Sequence, residues 1–172
     1  MTGARQFNQE LITMLPRLRR FGLVLTRRKD QADDLVQDTC ERAIQRAAQF
    51  EPGTRFDSWL FAIMQSIWRN RLRADRLRAA EGDEALTTVA DQVAHLQAES
   101  QVALTDMERT LLELPTEQRE VLMLVGVEGH SYKETADIFE LPVGTVMSRL
   151  SRGRLALTKA HAASPATTNY RR

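Results

Sequence analysis

Apolar residues recur every three or four positions along most of the chain, and no stretch alternates with period two over a useful length. From Phe7 to about Arg28, Leu11, Ile12, Leu15, Leu18, Phe21 and Leu25 predict one long helix, or two joined at Pro16. Asp30 is placed to cap a helix from Gln31 to about Ala48. Its inward stripe would be Ala32, Leu35, Val36, Thr39, Ala43, Ile44 and Ala47. Pro52-Gly53 marks a loop over 49–56. A helix from about Asp57 to Leu77 follows, with Leu60, Ile63, Met64 and Ile67 facing inward.

The pattern fades between Ala80 and Asp106. Seven acids lie between Ala80 and Glu108, with no Lys or Arg, which predicts a flexible linker, with a helical piece in DQVAHLQAESQVAL. Periodicity then resumes, and helices are expected at about 105–114, 116–128, 132–139 and 143–160. Gly129 ends the second, and HAASPATTNYRR closes the chain as a disordered tail. The fold class is therefore all-α: two small helical domains, 5–79 and 105–160, joined by an acidic linker, 80–104, and followed by a tail, 161–172.

Within the second unit, SYKETADIFELPVGTVMSRLSR has the form of a helix-turn-helix. Ser131 and Glu134 make a capping box, Ala136 permits a close crossing, and Pro142 suits a helix start. Ile138, Leu141, Val146 and Leu150 are spaced to form a small shared core. The second helix of such a unit enters the major groove, and here its outer face carries Thr145, Ser148, Arg149 and Arg152. Arg bonds guanine in bidentate fashion; Ser and Thr bond phosphates or bases. Glu140 stands where such turns often use Gly, which predicts a looser turn, because a Cβ in the left-handed region costs roughly 1 kcal/mol.

Charge sharpens the picture. The net charge is +1, yet it is assembled from blocks. Arg17 to Lys29 holds six bases and no acid, Arg55 to Arg78 holds six Arg against Asp57 and Asp75, and every charged residue after Glu140 is basic. Such segregation suggests separate surfaces for separate partners. Trp59 and Trp68 beside Arg69, Arg71 and Arg73 suit single-stranded nucleic acid, where rings stack bases and guanidinium groups hold phosphates; helical tryptophans equally often serve as core. A lone Cys40 excludes a disulfide framework and is placed for packing. No apolar run approaches a membrane span and no signal-peptide architecture opens the chain, so a cytoplasmic protein without membrane insertion is expected.

The segments DQADDLVQDTCERAI, FEPGTRFDSWLFAIMQSIWRNRLR and LPTEQREVLMLVGVEGHSYKETADIFELPVGTVMSRLSRGRLAL together resemble the extracytoplasmic-function sigma factors of bacterial RNA polymerase, members of the sigma-70 superfamily. The resemblance covers nearly the whole chain apart from linker and tail. It implies a sigma region 2 over 5–79 and a sigma region 4 over 105–160. Asp34, Leu35, Gln37, Asp38 and Glu41 would dock on the polymerase clamp helices, with a second contact at the flap. Phe50, Arg55, Trp59, Trp68, Arg69, Arg71 and Arg73 would capture and hold the melted minus-10 element. Ser131, Tyr132, Lys133, Thr145, Ser148, Arg149, Arg152 and Arg154 would read the minus-35 element as duplex. The partners implied are core RNA polymerase, promoter DNA and an anti-sigma factor, in a stress or envelope response. Ser66, Trp68 and His130 depart from the residues most relatives carry, which leaves the minus-10 preference open.

Nothing in the chain suggests catalysis. His95, His130 and His161 are scattered without metal-ligand spacing, and no Gly-rich phosphate loop or nucleophile constellation is present, so no cofactor is expected. Two other readings compete with the sigma factor. One is a stand-alone helix-turn-helix regulator, against which stands the N-terminal half. The other is a sigma mimic that sequesters an anti-sigma factor, against which stand the retained Arg149, Arg152 and Arg154.

Overall fold

A computed structural model describes residues 2–80 and 106–163. Seven α-helices appear among them: α1 (Thr2–Thr26), α2 (Lys29–Gln45), α3 (Phe56–Ala80), α4 (Asp106–Glu113), α5 (Thr116–Leu122), α6 (Tyr132–Phe139) and α7 (Val143–Ala163). A 3-10 turn, Ala47–Gln49, follows α2, and a π-helical turn, Met123–Val127, extends α5. No strand occurs among the described residues. The expected linker, with its helical piece, falls on residues outside the described set.

α1 is one helix, not two. It runs through Pro16, which lies on the exposed side, where water can solvate the carbonyl that the missing N–H leaves free. Its buried stripe, Leu11, Met14, Leu18, Phe21 and Leu25, packs against α2 and α3. Arg27 ends it at φ 57, a left-handed stop, and Thr26 Oγ1 donates to the Gly22 carbonyl at 2.9 Å.

α2 starts two residues earlier than the sequence suggests. Its N-cap is Arg28, with no side-chain cap, while Asp30 sits in the first turn and pairs with Arg28 at 2.7 Å. Ion pairing with a neighbour thus replaces the expected cap. Ala32, Leu35, Val36, Thr39 and Ala43 are buried as expected, but Ile44 is exposed and Ala47 only half-buried. Ala47 lies beyond the end of α2, in the 3-10 turn, whereas Ile44 is still helical and faces solvent beside buried Ala43.

α3 places Leu60, Phe61, Ile63, Met64 and Ile67 in the core, where Phe61 meets Phe21 edge-on at 5.1 Å. In the C-terminal helices, α5, α6 and α7 enclose Val121, Leu124, Ile138, Phe139, Val146 and Leu150. Gly153 is where α7 meets α5: a Cβ there would lie 2.6 Å from Leu122 Cδ1. Gly129, at φ 72, stops the π turn. The capping box forms as expected, with Glu134 N–H donating to Ser131 Oγ at 3.2 Å and Ser131 N–H to Glu134 Oε2 at 2.7 Å. The turn before α7 is not looser. Glu140 adopts φ 53, ψ 47, the left-handed conformation itself, at a cost of roughly 1 kcal/mol. α7 continues through His161, Ala162 and Ala163, into the expected disordered tail.

The N-terminal and C-terminal helices pack on one another, α1 against α5 and α3 against α6. Arg119, on α5, is fully buried at their junction. Its Nε donates to the Val24 carbonyl at 2.6 Å, and its Nη1 to the Leu114 and Leu112 carbonyls at 2.8 and 3.2 Å. Val24 and Leu112 lie in the last turns of α1 and α4, so one guanidinium serves the carbonyl ends of two helices.

Candidate nucleic-acid interface

α7 presents Ser148, Ser151, Arg152 and Arg154 to solvent, while Val146, Leu150 and Gly153 turn inward. This is the amphipathic split a groove-reading helix requires. Ser148 Oγ donates to the Thr145 carbonyl at 3.0 Å, and Arg152 Nε to the Ser148 carbonyl at 3.3 Å, so the exposed polar groups lie along the helix. Thr145 is half-buried. Arg149 is not the free base that the acid-free neighbourhood of its own helix suggests. Its side chain is 18% exposed and meets Glu117 of α5 at 3.2 Å. Met147, 51% exposed, shares the outer face. At the start of α6, Ser131, Tyr132 and Lys133 are all exposed, although Ser131 Oγ is occupied as the cap.

Around α3 the residues singled out by sequence come together, but largely with partners. Phe50 and Trp59 join Phe7 and Phe56 in an aromatic cluster, with ring centroids 5.4 Å apart for Phe50–Trp59 and 5.2 Å for both Phe7–Phe56 and Phe50–Phe56. Arg55 grips Asp57 through Nε and Nη2 at 3.1 and 2.8 Å and reaches Glu134 at 3.2 Å. Burial alone would raise the Asp57 carboxyl, but hydrogen bonds from Arg55 and Arg17 outweigh it and hold the group below the usual carboxylate range. Arg69 pairs with Glu140 at 2.8 Å, and Arg71 pairs with Asp38. Trp68 is half-buried, its indole nitrogen without a partner. Arg73 is exposed. A cleft of about 830 Å³ between the two groups of helices is lined by Arg27, Gln65, Trp68, Arg69, Glu120 and Arg149, among others.

On α2, Asp34, Gln37, Asp38 and Glu41 form an exposed acidic and polar face, with Gln37 Nε2 donating to Glu41 Oε1 at 2.9 Å. Leu35 does not belong to it. It is 0% exposed, packed in the core, and cannot touch a partner while the helix stays docked.

Several of the acids that answer the basic blocks lie far away in sequence. Arg17 is held by Asp57 and Glu128, Arg20 by Glu128 at 3.1 Å, and Arg19 faces Asp33 at 3.6 Å. Net charge along the chain could not reveal these pairs, since they join residues up to 111 positions apart. Beside them, the His130 ring is buried against Phe61, centroids 5.5 Å apart, with neither nitrogen hydrogen-bonded. Among the described residues no group of three or more His, Cys, Asp or Glu is arranged to hold a metal, and no helix is long and apolar enough to cross a membrane.

Comparison with known proteins gives this arrangement its context. Residues 104–157 match the family model described as sigma-70, region 4, and residues 11–65 match that described as the Sigma2 domain of PhyR. The chain is 37% identical over 153 residues to the ECF RNA polymerase sigma factor EcfG of Rhodopseudomonas palustris, covering 87% of this chain and 81% of that protein. It is 32% identical to SigM of Mycobacterium tuberculosis, covering 83% and 70% respectively. The sigma factor RpoE of Bartonella quintana, solved in complex with the anti-sigma factor NepR, superposes with a TM-score of 0.75 at 31% identity, over 93% of this chain and 99% of that one. With a helix-turn-helix behind a three-helix N-terminal unit, and relatives matched over most of both lengths, the chain belongs to the extracytoplasmic-function sigma factors of the sigma-70 family.

Proposed function

We propose that this protein acts as a promoter-specificity subunit that binds core RNA polymerase, directs initiation, and is itself bound by an anti-sigma factor in the cytoplasm. Its own chain supplies binding only, and the polymerase supplies the chemistry. Within this reading, residues 5–79 and 105–160 are the two functional domains. Asp34, Gln37, Asp38 and Glu41 offer the clamp helices an acidic face, which a basic partner complements. Phe50, Arg55, Trp59, Trp68, Arg69, Arg71 and Arg73 receive the melted minus-10 strand, extrusion of a base being offset by a pocket and stacking rings. Ser148, Arg152 and Arg154, flanked by Ser131, Tyr132, Lys133, Thr145 and Arg149, read the minus-35 duplex.

The observation that carries this reading is the coexistence, in one short chain, of a solvent-facing arginine row on α7 and an acidic face on α2. A duplex-binding regulator needs the first and has no use for the second. The test is co-elution with core polymerase alongside binding to promoter duplex. Asp38→Arg is expected to abolish co-elution and spare duplex binding, whereas Arg152→Ala does the reverse. Equal losses in both assays for both variants overturn the division of labour.

A further inference from the structure

Two rows of residues run side by side down the outer face of α7, each at the four-residue spacing that aligns neighbours on a helix. One row is Gly144, Ser148 and Arg152, in which Arg152 Nε donates to the Ser148 carbonyl at 3.3 Å. The other is Val143, Met147 and Ser151, and its two apolar side chains are 41% and 51% exposed. Arg149 belongs to neither row, being turned aside onto Glu117 at 3.2 Å. Met147 therefore holds the middle of the exposed surface in the half of α7 where a groove-reading helix meets base edges. Beside it, nothing lies within 4 Å of where a Cβ of Gly144 would stand, so packing does not demand the missing side chain. The bare backbone leaves room for a base edge to reach Met147.

Apolar side chains on a face otherwise built of hydroxyl and guanidinium groups gain only from an apolar counterpart that takes them out of water. In the major groove thymine alone carries a methyl group, at C5, next to its O4 acceptor. Resting on the functional reading above, we infer that Met147, backed by Val143 one turn earlier, is a specificity-determining residue of the minus-35 contact and reads the C5 methyl of a thymine. Ser148 and Arg152, in the neighbouring row, supply donors to phosphates or base acceptors alongside it. Charge selects duplex DNA over a protein as the occupant of this face, since every charged residue of α7 is basic.

The experiment uses the full chain with purified core polymerase. A pool of random-sequence duplexes is enriched for binding. The upstream part of the shared motif is then resynthesised with each thymine in turn, on either strand, replaced by uracil, which lacks only the C5 methyl. Met147→Gln keeps side-chain length and helix propensity but removes the apolar end, and Met147→Leu keeps an apolar one. Co-elution with core polymerase is measured for every variant. The expected result is one position at which uracil weakens binding of the parent about fourfold, the value of one buried methyl. At that position Met147→Leu still discriminates, whereas Met147→Gln binds the two duplexes within about 1.5-fold of each other. Arg152→Ala binds both more weakly and keeps the fourfold ratio. A parent indifferent to every such replacement, or an upstream motif without thymine, overturns the inference. So does a Met147→Gln variant that discriminates as the parent does, because another group would then read the methyl. Loss of co-elution by Met147→Gln with discrimination intact overturns it in favour of a polymerase contact. Enrichment of no upstream motif overturns it through the functional reading, and is recognised before any uracil is introduced.

Discussion

Arg119 bears more on stability than on DNA, and Arg119→Met isolates that role. Met keeps most of the apolar stem and deletes the guanidinium, which donates to three carbonyls and to Thr116 Oγ1 at 3.2 Å. No carboxylate hydrogen-bonds to it, and burial lowers its pKa to about 10. Hydrogen bonds from a charged donor contribute roughly 1.5–3 kcal/mol each, and the four share one group, so they sum to about 8 kcal/mol gross. Relief of burying the charge offsets several kcal/mol of that. The carbonyls of Val24 and Leu112 lose their Arg119 partner, while that of Leu114 keeps the bond from Arg27 Nη2 at 2.8 Å, and a net loss of about 3–5 kcal/mol is expected. Urea unfolding followed by circular dichroism measures it, with the midpoint falling and the slope unchanged. A loss under about 1 kcal/mol would refute the claim that this guanidinium joins the ends of α1 and α4. So would an Arg119→Lys variant as stable as the parent, since an ammonium cannot reach all four acceptors from one point.

Other outcomes follow from the same geometry. Burial raises the Glu120 carboxyl to about 7, so the stability it permits is full below its ordinary value of 4.5 and declines as pH rises through 7. Glu120→Gln should therefore be more stable than the parent at about pH 8, by up to ~3 kcal/mol, and little changed at about pH 4.5, as thermal melts would show. His130 runs the other way: burial lowers its pKa from 6.5, Arg55 opposes the proton, and Asp57 and Glu134 only partly favour it. The closed contact is then fully favoured above pH 6.5 and weakens as pH falls below it, so energy transfer between the helix groups should drop in acid, and His130→Leu should flatten that drop. Leu35→Ala should cost about 2–5 kcal/mol of stability by leaving a cavity, visible in urea unfolding of the free chain, rather than acting as a surface contact.

Much of the architecture is legible in the sequence because it rests on local rules. The inward stripe of α3, the Ser131–Glu134 box and the Val146/Leu150 pair each follow from spacing within a few residues. Boundaries set by other contacts are not legible in the same way. Arg28 and Asp30 pair side by side, so neither caps α2 through its side chain, and the helix starts early. Pro16 is tolerated because its face is wet, which periodicity does not report. At the candidate site, sequence locates the arginines but not their partners. Glu117, Glu128, Glu134 and Glu140 pair with bases on other elements, up to 111 residues away. Acid-poor neighbourhoods in the sequence therefore overstate how much positive charge is free. One signal was available: Glu140 stands at a position where Gly would avoid strain, and its carboxylate meets Arg69 at 2.8 Å.

The central claim, promoter-directed initiation, is tested most directly by run-off transcription of sheared bacterial genomic DNA by purified core polymerase, with and without this protein. New transcripts are expected to start a fixed distance downstream of a shared two-part sequence, and to be lost with Asp38→Arg. Absence of any new start, alongside tight binding of the protein alone to duplex DNA, would contradict the claim and leave a conventional helix-turn-helix regulator.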